Sequence, residues 1–275
     1  MTPPQTFVIA EAGSTHDGQL DRALALINAA RLSGADAVKF QTFDAETLAA
    51  RRRASSYYLA IYRRYAMPLA WLPVLAEACR LADIEFMTTV YHADVLPHVA
   101  PWVRRWKIAS FEALDREFVG AVASDGRPVI ISTGMAEAAD LIDLARWLRS
   151  SRPQLTVSYL LCTSAYPAPV EELNLAALRH PPSGIGFAGL SDHSRHLWTG
   201  ALAVAAGAAI LEAHVRLNDT DPANPDCAVS FSPAELRAYI VNVRLAERMC
   251  GDGVKRAMPS EAPMLRYRAG VGART

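Results

Sequence analysis

The chain has 275 residues, 28 basic and 28 acidic, and 51% of them are hydrophobic. A net charge of zero gives no ground for binding nucleic acid or a membrane surface, and no apolar run is long enough to span a bilayer. Cys79, Cys162, Cys227 and Cys250 lie far apart with no CxxC pair, and the start lacks the charged and apolar regions of a signal peptide; together these predict reduced thiols in a cytoplasmic protein.

In chain order, strand one is expected at 7–11, followed by a turn-rich loop (12–18) and an amphipathic helix at 20–33 closed by Gly34. Strand two is expected at 37–42. After it comes an insertion, 44–67, rich in tyrosine (Tyr57, Tyr58, Tyr62, Tyr65) and arginine (Arg51 to Arg53, Arg63, Arg64). A helix from Pro68 to 82 uses proline in its first turn. Strand three is expected at 85–90, a short helical return at 92–101, strand four at 105–109, a helix at 115–124, strand five at 128–132 and a helix at 136–150. Strand six is expected at 156–161, a helix at 170–179, strand seven at 185–190, a helix at 197–207 and strand eight at 209–212. The last helix, 233–250, is capped by Ser232 with proline at its first position. Eight strands each followed by a helix predict an α/β chain folded as a (β/α)8 TIM barrel, one domain over 1–250, with an irregular extension at 251–275. An open doubly wound sheet is the alternative, but no GxGxxG follows the first strand.

In a barrel, chemistry sits at the carboxyl ends of the strands. Those ends carry Glu11, Lys39 with Gln41, Thr89, Lys107 with Ser110 and Glu112, Ser132, Ser164, His193 and His214. Ser191 and His193 share one strand face, as do Glu212 and His214. Histidines at matching ends of parallel neighbours about 5 Å apart can share one divalent metal. A buried lysine costs several kcal/mol unless it is paired, so Lys39 and Lys107 predict an anion between them. The hydroxyls of Thr89, Ser110, Ser132 and Ser191 suit phosphate or carboxylate oxygens.

These residues sit in blocks that resemble a known family, the phosphoenolpyruvate-condensing sialic acid synthases and their legionaminic, pseudaminic and spore-coat relatives. The blocks are IAEAGSTHDG (9–18), GADAVKFQTF (34–43), WKIASFE (106–112), PVIISTGM (128–135), LLCTSAYPAPVEELNL (160–175), GLSDHS (189–194), LEAHV (211–215) and GVKRAMPSE (253–261). The resemblance implies that His193 and His214 hold a metal, manganese first, with magnesium or cobalt as alternatives. It implies that Lys39, Thr89, Lys107, Ser110, Ser132, Gly134, Ser164 and Ser191 hold phosphoenolpyruvate, and that Glu11, Gln41, Tyr166 and Asp226 line the acceptor site. Glu112 matches a carboxylate that handles the reacting water or the acceptor. Relatives usually continue into a C-terminal antifreeze-like domain, which in a dimer gives an arginine to the partner's acceptor. The expectation for this sequence is a homodimer without that domain.

The expected reaction joins carbon 3 of phosphoenolpyruvate to an open-chain, sugar-like aldehyde, giving a 3-deoxy-2-keto acid of the nonulosonic type and phosphate. A related phosphoenolpyruvate aldolase with another product, and a barrel that has lost catalysis, are the alternatives. The 44–67 insertion leaves the catalytic face, so it is expected either as a lid over the acceptor or as a helix packing its tyrosines on the barrel rim.

Overall fold

The computed structural model describes residues 5–269 of the chain. β1 (Phe7–Glu11) leads into α1 (Leu20–Ser33), which buries Ala23, Leu26, Ile27 and Ala30 on one face. β2 (Ala37–Thr42) is followed by the insertion, which folds as α2 (Ala45–Arg51) and α3 (Ser56–Tyr65). Then come α4 (Trp71–Leu81), β3 (Glu85–Val90), α5 (Leu96–Val99), β4 (Trp106–Ile108) and α6 (Arg116–Val122), whose N-terminus is capped by Asp115. β5 (Val129–Ser132), α7 (Ala138–Ser151) and β6 (Val157–Cys162) lead to β7 (Phe187–Asp192), α8 (Thr199–Ala205) and β8 (Ile210–His214). α9 (Pro233–Cys250) starts with a capping box in which the Ser232 and Glu235 side chains each bond the other's backbone N–H.

The eight strands are all parallel and close in sequence order, β8 pairing β1. The expected barrel is therefore the observed one. Outward-facing strand residues such as Val8, Val38 and Phe40 share one core with Leu26 and Ile27 of α1, Leu72 and Leu75 of α4, and Leu236 and Ile240 of α9. Inside the barrel, Ile9, Ala37, Met87, Ile130 and Leu160 form a separate apolar floor. Side chains repeat every second residue along a strand, so the next inward layer toward the carboxyl ends is Glu11, Lys39, Thr89, Ser132 and Cys162. The floor is apolar, and the inward layer directly above it is mostly polar.

Four expected elements differ most. The helix expected at 170–179 is two 3₁₀ turns, Val170–Glu172 and Leu175–Leu178, parted by Asn174 at φ +46°, which no continuous helix admits. The helix expected from Pro68 begins at Trp71. β7 and β8 run on to Asp192 and His214, past the expected 190 and 212. After α9, residues 251–269 are exposed throughout and include a 3₁₀ stretch, Pro259–Tyr267, within the expected irregular extension; 270–275 lie outside the described residues, as does the start at 1–4.

Candidate active site

A cavity of about 410 Å³ opens at the carboxyl ends of the strands. Its lowest part is a cluster of four buried charges. Lys39 Nζ lies 2.5 Å from Glu11 Oε2 and 3.6 Å from Glu212 Oε2, and donates to Thr89 Oγ1 at 2.6 Å. Lys107 Nζ lies 3.5 Å from Glu212 Oε1 and donates to Ser132 Oγ at 2.8 Å. Ser191 Oγ donates to Glu212 Oε1 at 3.0 Å, and Gln41 Nε2 to Glu11 Oε1 at 3.0 Å. The lysines are thus already paired within the barrel, so an anion between them would share them with Glu11 and Glu212. Their partners are on β1, which pairs β2, and on β8, which closure of the ring sets beside β1.

The two carboxylates differ in environment. Burial alone would push the Glu212 carboxyl up, but Lys107 and Lys39 outweigh it and hold it down at about 2. Burial pushes Glu11 up to about 7 against the pull of Lys39, with the Glu212 charge adding to the rise. Glu212 is the anion that both lysines face. Burial also lowers Lys107, whereas the two glutamates outweigh burial at Lys39 and raise it.

His193 and His214 stand above this cluster with ring centroids 5.3 Å apart. β7 and β8 come close because Gly189 has no side chain: a Cβ there would fall 1.7 Å from Ile210 O. Their register pairs Ser191 with Glu212 and so sets the histidines at adjoining strand ends. His193 Nδ1 bonds Thr163 O at 2.9 Å and lies 3.7 Å from Cys162 Sγ. The bond to a carbonyl places the proton on Nδ1 and leaves Nε2 free as a ligand. His214 Nδ1 is buried without a hydrogen-bond partner, and burial lowers that imidazole to about 4, so it is neutral. The Tyr166 ring covers both, 4.4 Å from His193 and 6.3 Å from His214. Among the described residues, no group of three or more His, Cys, Asp or Glu side chains is arranged to hold a metal. At His193 burial is outweighed by Cys162 and the Thr163 carbonyl, which raise it, so a divalent ion held by the two rings would displace a proton there, its other positions being taken by substrate or water oxygens.

The loop after β8 folds back on the loop after β1. Asp226 Oδ2 accepts from Ser14 N at 2.8 Å and Ser14 Oγ at 2.7 Å, and Asn224 Nδ2 donates to Ser14 O and Asp17 Oδ1, both at 2.8 Å. The adjoining wall is the insertion, which follows β2 and reaches the β8 loop through Arg64 and Asp221. Arg52 Nη2 donates to Glu112 Oε1 at 2.6 Å, and its guanidinium lies over Phe111 (4.6 Å) and Tyr91 (5.2 Å). Arg51 pairs with Asp115 at 2.5 Å and Arg64 with Asp221 at 3.0 Å.

Of the residues singled out from sequence, Glu11, Lys39, Gln41, Thr89, Lys107, Ser110, Ser132, Tyr166, Ser191, His193, His214 and Asp226 all line this one cavity. Glu112, Gly134 and Ser164 stand behind its surface. Glu112 is the third residue of the 3₁₀ turn Ser110–Glu112, which sends its carboxylate to Arg52 while Ser110 reaches the cavity. Gly134 N donates to Ser110 Oγ at 3.0 Å, and a Cβ on Gly134 would fall 2.1 Å from Ser164 Oγ. The sequence reading gave Glu212 no role, although it shares a strand face with His214, a signal that could have found it. Ser14, Tyr91 and Phe111 were also missed; an aromatic at a strand end is indistinguishable from core without the fold.

Residues 26–255 match the NeuB family. The chain is 35% identical over 267 residues to the spore coat polysaccharide biosynthesis protein SpsE of Bacillus subtilis, covering 90% of this chain and 69% of that one. It is 33% identical over 274 residues to the N,N'-diacetyllegionaminic acid synthase of Legionella pneumophila, covering 94% and 77%. The crystal structure of an N-acetylneuraminic acid synthetase from Leptospira borgpetersenii superposes with a TM-score of 0.87 at 28% identity, over 96% of this chain and 91% of that one.

Proposed function

The chain belongs to the NeuB family of sialic acid synthase-type enzymes, and on that premise we propose that it condenses phosphoenolpyruvate with an open-chain, sugar-like aldehyde to give a 3-deoxy-2-keto acid and phosphate. The observation that supports this most is the stacking of the site: two lysines and three hydroxyls, Thr89, Ser132 and Ser191, lie below a pair of imidazoles in one cavity.

In this reading Lys39 and Lys107 take the phosphate and carboxylate of phosphoenolpyruvate, exchanging part of their contact with Glu11 and Glu212 for the ligand. Ser110, Ser132, Thr89 and Ser191 bond its oxygens, and Gly134 with Ser164 keeps Ser110 in place from behind. Glu11, Gln41, Tyr166 and Asp226 orient the aldehyde. Carbon 3 attacks the aldehyde carbon, water adds to carbon 2, and the tetrahedral carbon expels phosphate with cleavage of its C–O bond. A divalent metal, manganese first with magnesium or cobalt as alternatives, would be held by His193 and His214 and would polarise the aldehyde oxygen as a Lewis acid. Glu112 works through Arg52, fixing the wall against which the acceptor lies.

The test is phosphate release from phosphoenolpyruvate with manganese and a panel of aldehydes in ¹⁸O water. The label should enter the keto acid and not the phosphate. Label in phosphate, or no release with any aldehyde, would sink the reading. The same reading has the enzyme working as a homodimer, supported by apolar side chains that stand exposed on the stretch after α9, Val254, Met264 and Tyr267 among them. Sedimentation of the full chain checks it.

No helix among the described residues is long and apolar enough to cross a membrane.

A further inference from the structure

We infer that His92 is a positioning residue for the candidate site: its neutral imidazole pins the start of the insertion to the end of β3, and a proton taken up by that imidazole releases the wall that α2 lends to the cavity. The pin belongs to the fold, and its effect on catalysis rests on the condensation proposed above.

β3 ends at Val90, one residue past Thr89, whose hydroxyl accepts from Lys39 at the base of the site. The chain then leaves the barrel through Tyr91 and His92, both buried. Tyr91 packs edge-on against Phe43, ring centroids 5.6 Å apart, and lies under the Arg52 guanidinium at 5.2 Å. Phe43, Leu48 and Tyr91 form a small apolar cluster apart from the main core. His92 adds a polar tie. Its Nε2 accepts from Asp44 N at 3.0 Å, a backbone N–H at the start of the insertion. Asp44 is also the N-cap of α2: its Oδ1 accepts from Thr47 N and Thr47 Oγ1, both at 2.8 Å. One side chain therefore joins the strand end to the helix that carries Leu48 toward the cavity, with Arg52 next after it.

The tie needs an unprotonated Nε2, because a ring nitrogen that accepts carries no hydrogen. That puts the imidazole proton on Nδ1, which is buried, lies 3.8 Å from Asp94 Oδ2 and has no hydrogen-bond partner. An imidazolium has two donors and no acceptor, so it would set an N–H against the N–H of Asp44 and leave that donor unpaired. The charged groups facing His92 are Asp44 and Arg51 from the insertion and Asp94 from its own turn. Burial lowers the imidazole from its ordinary 6.5, and with Arg51 it outweighs the two aspartates. The closed insertion thus takes a proton less readily than an opened one, in which His92 is hydrated. Falling pH below 6.5 drives it open.

The test is hydrogen–deuterium exchange of the full chain without substrates, from about pH 7.5 to about pH 5, expressed as protection factors so that the intrinsic rate cancels. In the parent, protection over 44–54 should fall roughly tenfold across that range while the barrel strands hold theirs. His92→Gln, whose side-chain carbonyl accepts from Asp44 N without titrating, should keep the protection at both ends. His92→Leu, with no acceptor, should lack it at both. A nitrogen correlation spectrum of the parent needs no variant: at about pH 7.5 Nδ1 of His92 should carry the proton and Nε2 none. A proton on Nε2 overturns the pin, as does protection that falls alike in the parent and His92→Gln, or that does not fall in the parent. In turnover, lowering the pH should raise the aldehyde KM of the parent above that of His92→Gln, with the phosphoenolpyruvate KM of the two proteins staying alike. Equal effects on both substrates would overturn the role in the site. Exchange that follows His92 without turnover of any aldehyde would instead overturn the condensation and leave the pin standing.

Discussion

The imidazoles of His193 and His214 face each other across adjoining strand ends, ring centroids 5.3 Å apart, one fixed by Thr163 O and the other with a buried nitrogen that bonds nothing. An unsatisfied buried nitrogen costs stability unless something binds it. His193→Ala and His214→Ala should each weaken manganese binding by at least tenfold, measured by equilibrium dialysis, with the far-ultraviolet circular dichroism of the parent retained. Undiminished manganese binding by the His214→Ala protein would remove the histidines from the metal site.

Lys39 and Lys107 should separate affinity from stability. Either lysine replaced by Met should weaken phosphoenolpyruvate binding by about 2–5 kcal/mol, because a buried anion loses a charge-assisted partner. Lys39→Met also leaves Glu11 beside Glu212 without the cation between them, and should lower stability by about 3–5 kcal/mol. Adding Glu11→Gln should restore part of that stability and none of the affinity. Parental affinity in both single variants would place the anion elsewhere.

Gly134→Ala puts a methyl group where Ser164 Oγ stands, and the same methyl would crowd Ser110 Oγ at 3.0 Å. Ser110 should shift, raising the KM for phosphoenolpyruvate more than that of the aldehyde. Equal effects on the two substrates would show that Gly134 serves the fold and not the anion.

His16 supplies a pH dependence away from the candidate metal. Burial lowers it to about 4, against the opposing charges of Asp17 and Asp226, and its Nδ1 accepts from Gly18 N at 3.0 Å. The folded pKa lies below the ordinary 6.5, so the unfolded chain takes the proton first as pH falls. Stability from this group is complete above about 6.5 and is lost progressively down to about 4, on the order of 3 kcal/mol in all. His16→Asn should flatten the decline in denaturation midpoint between pH 7 and 4.5. An unchanged slope assigns the acid sensitivity to other groups.

The strands were legible because each is a short apolar run between turn residues, and the barrel because eight such runs alternate with helices. The ends of β7 and β8 were set two residues short, at 190 and 212, because the apolar runs stop at or just before them, while the strands continue through Ser191 and Asp192 and through Ala213 and His214. The lysine positions could be read from the chain, but not their pairing: Glu212 is 173 residues from Lys39 and 105 from Lys107, and only barrel closure joins them. The insertion was expected as a lid or as a packed helix. It is two helices that pack beside the barrel and line one side of the cavity, with Tyr65 buried and Tyr58 half exposed. That Arg52 turns to Glu112, and so takes Glu112 out of the cavity, is a tertiary fact with no local sign.

The four buried charges set a condition on how the site can fill. Two lysines stand against two glutamates, so the layer has little positive charge to spare beyond what a proton on Glu11, raised to about 7, or on His193 would supply. Phosphoenolpyruvate carries both a phosphate and a carboxylate. Entering alone, it would leave excess negative charge against buried carboxylates, an arrangement a poorly hydrated interior tolerates badly. Positive charge must enter with it, as a divalent ion at the imidazoles or as protons on the carboxylates. The affinities of the anion and the cation are then linked, each raising the other by the same factor, and the order in which they are added to the empty protein cannot change the final occupancy.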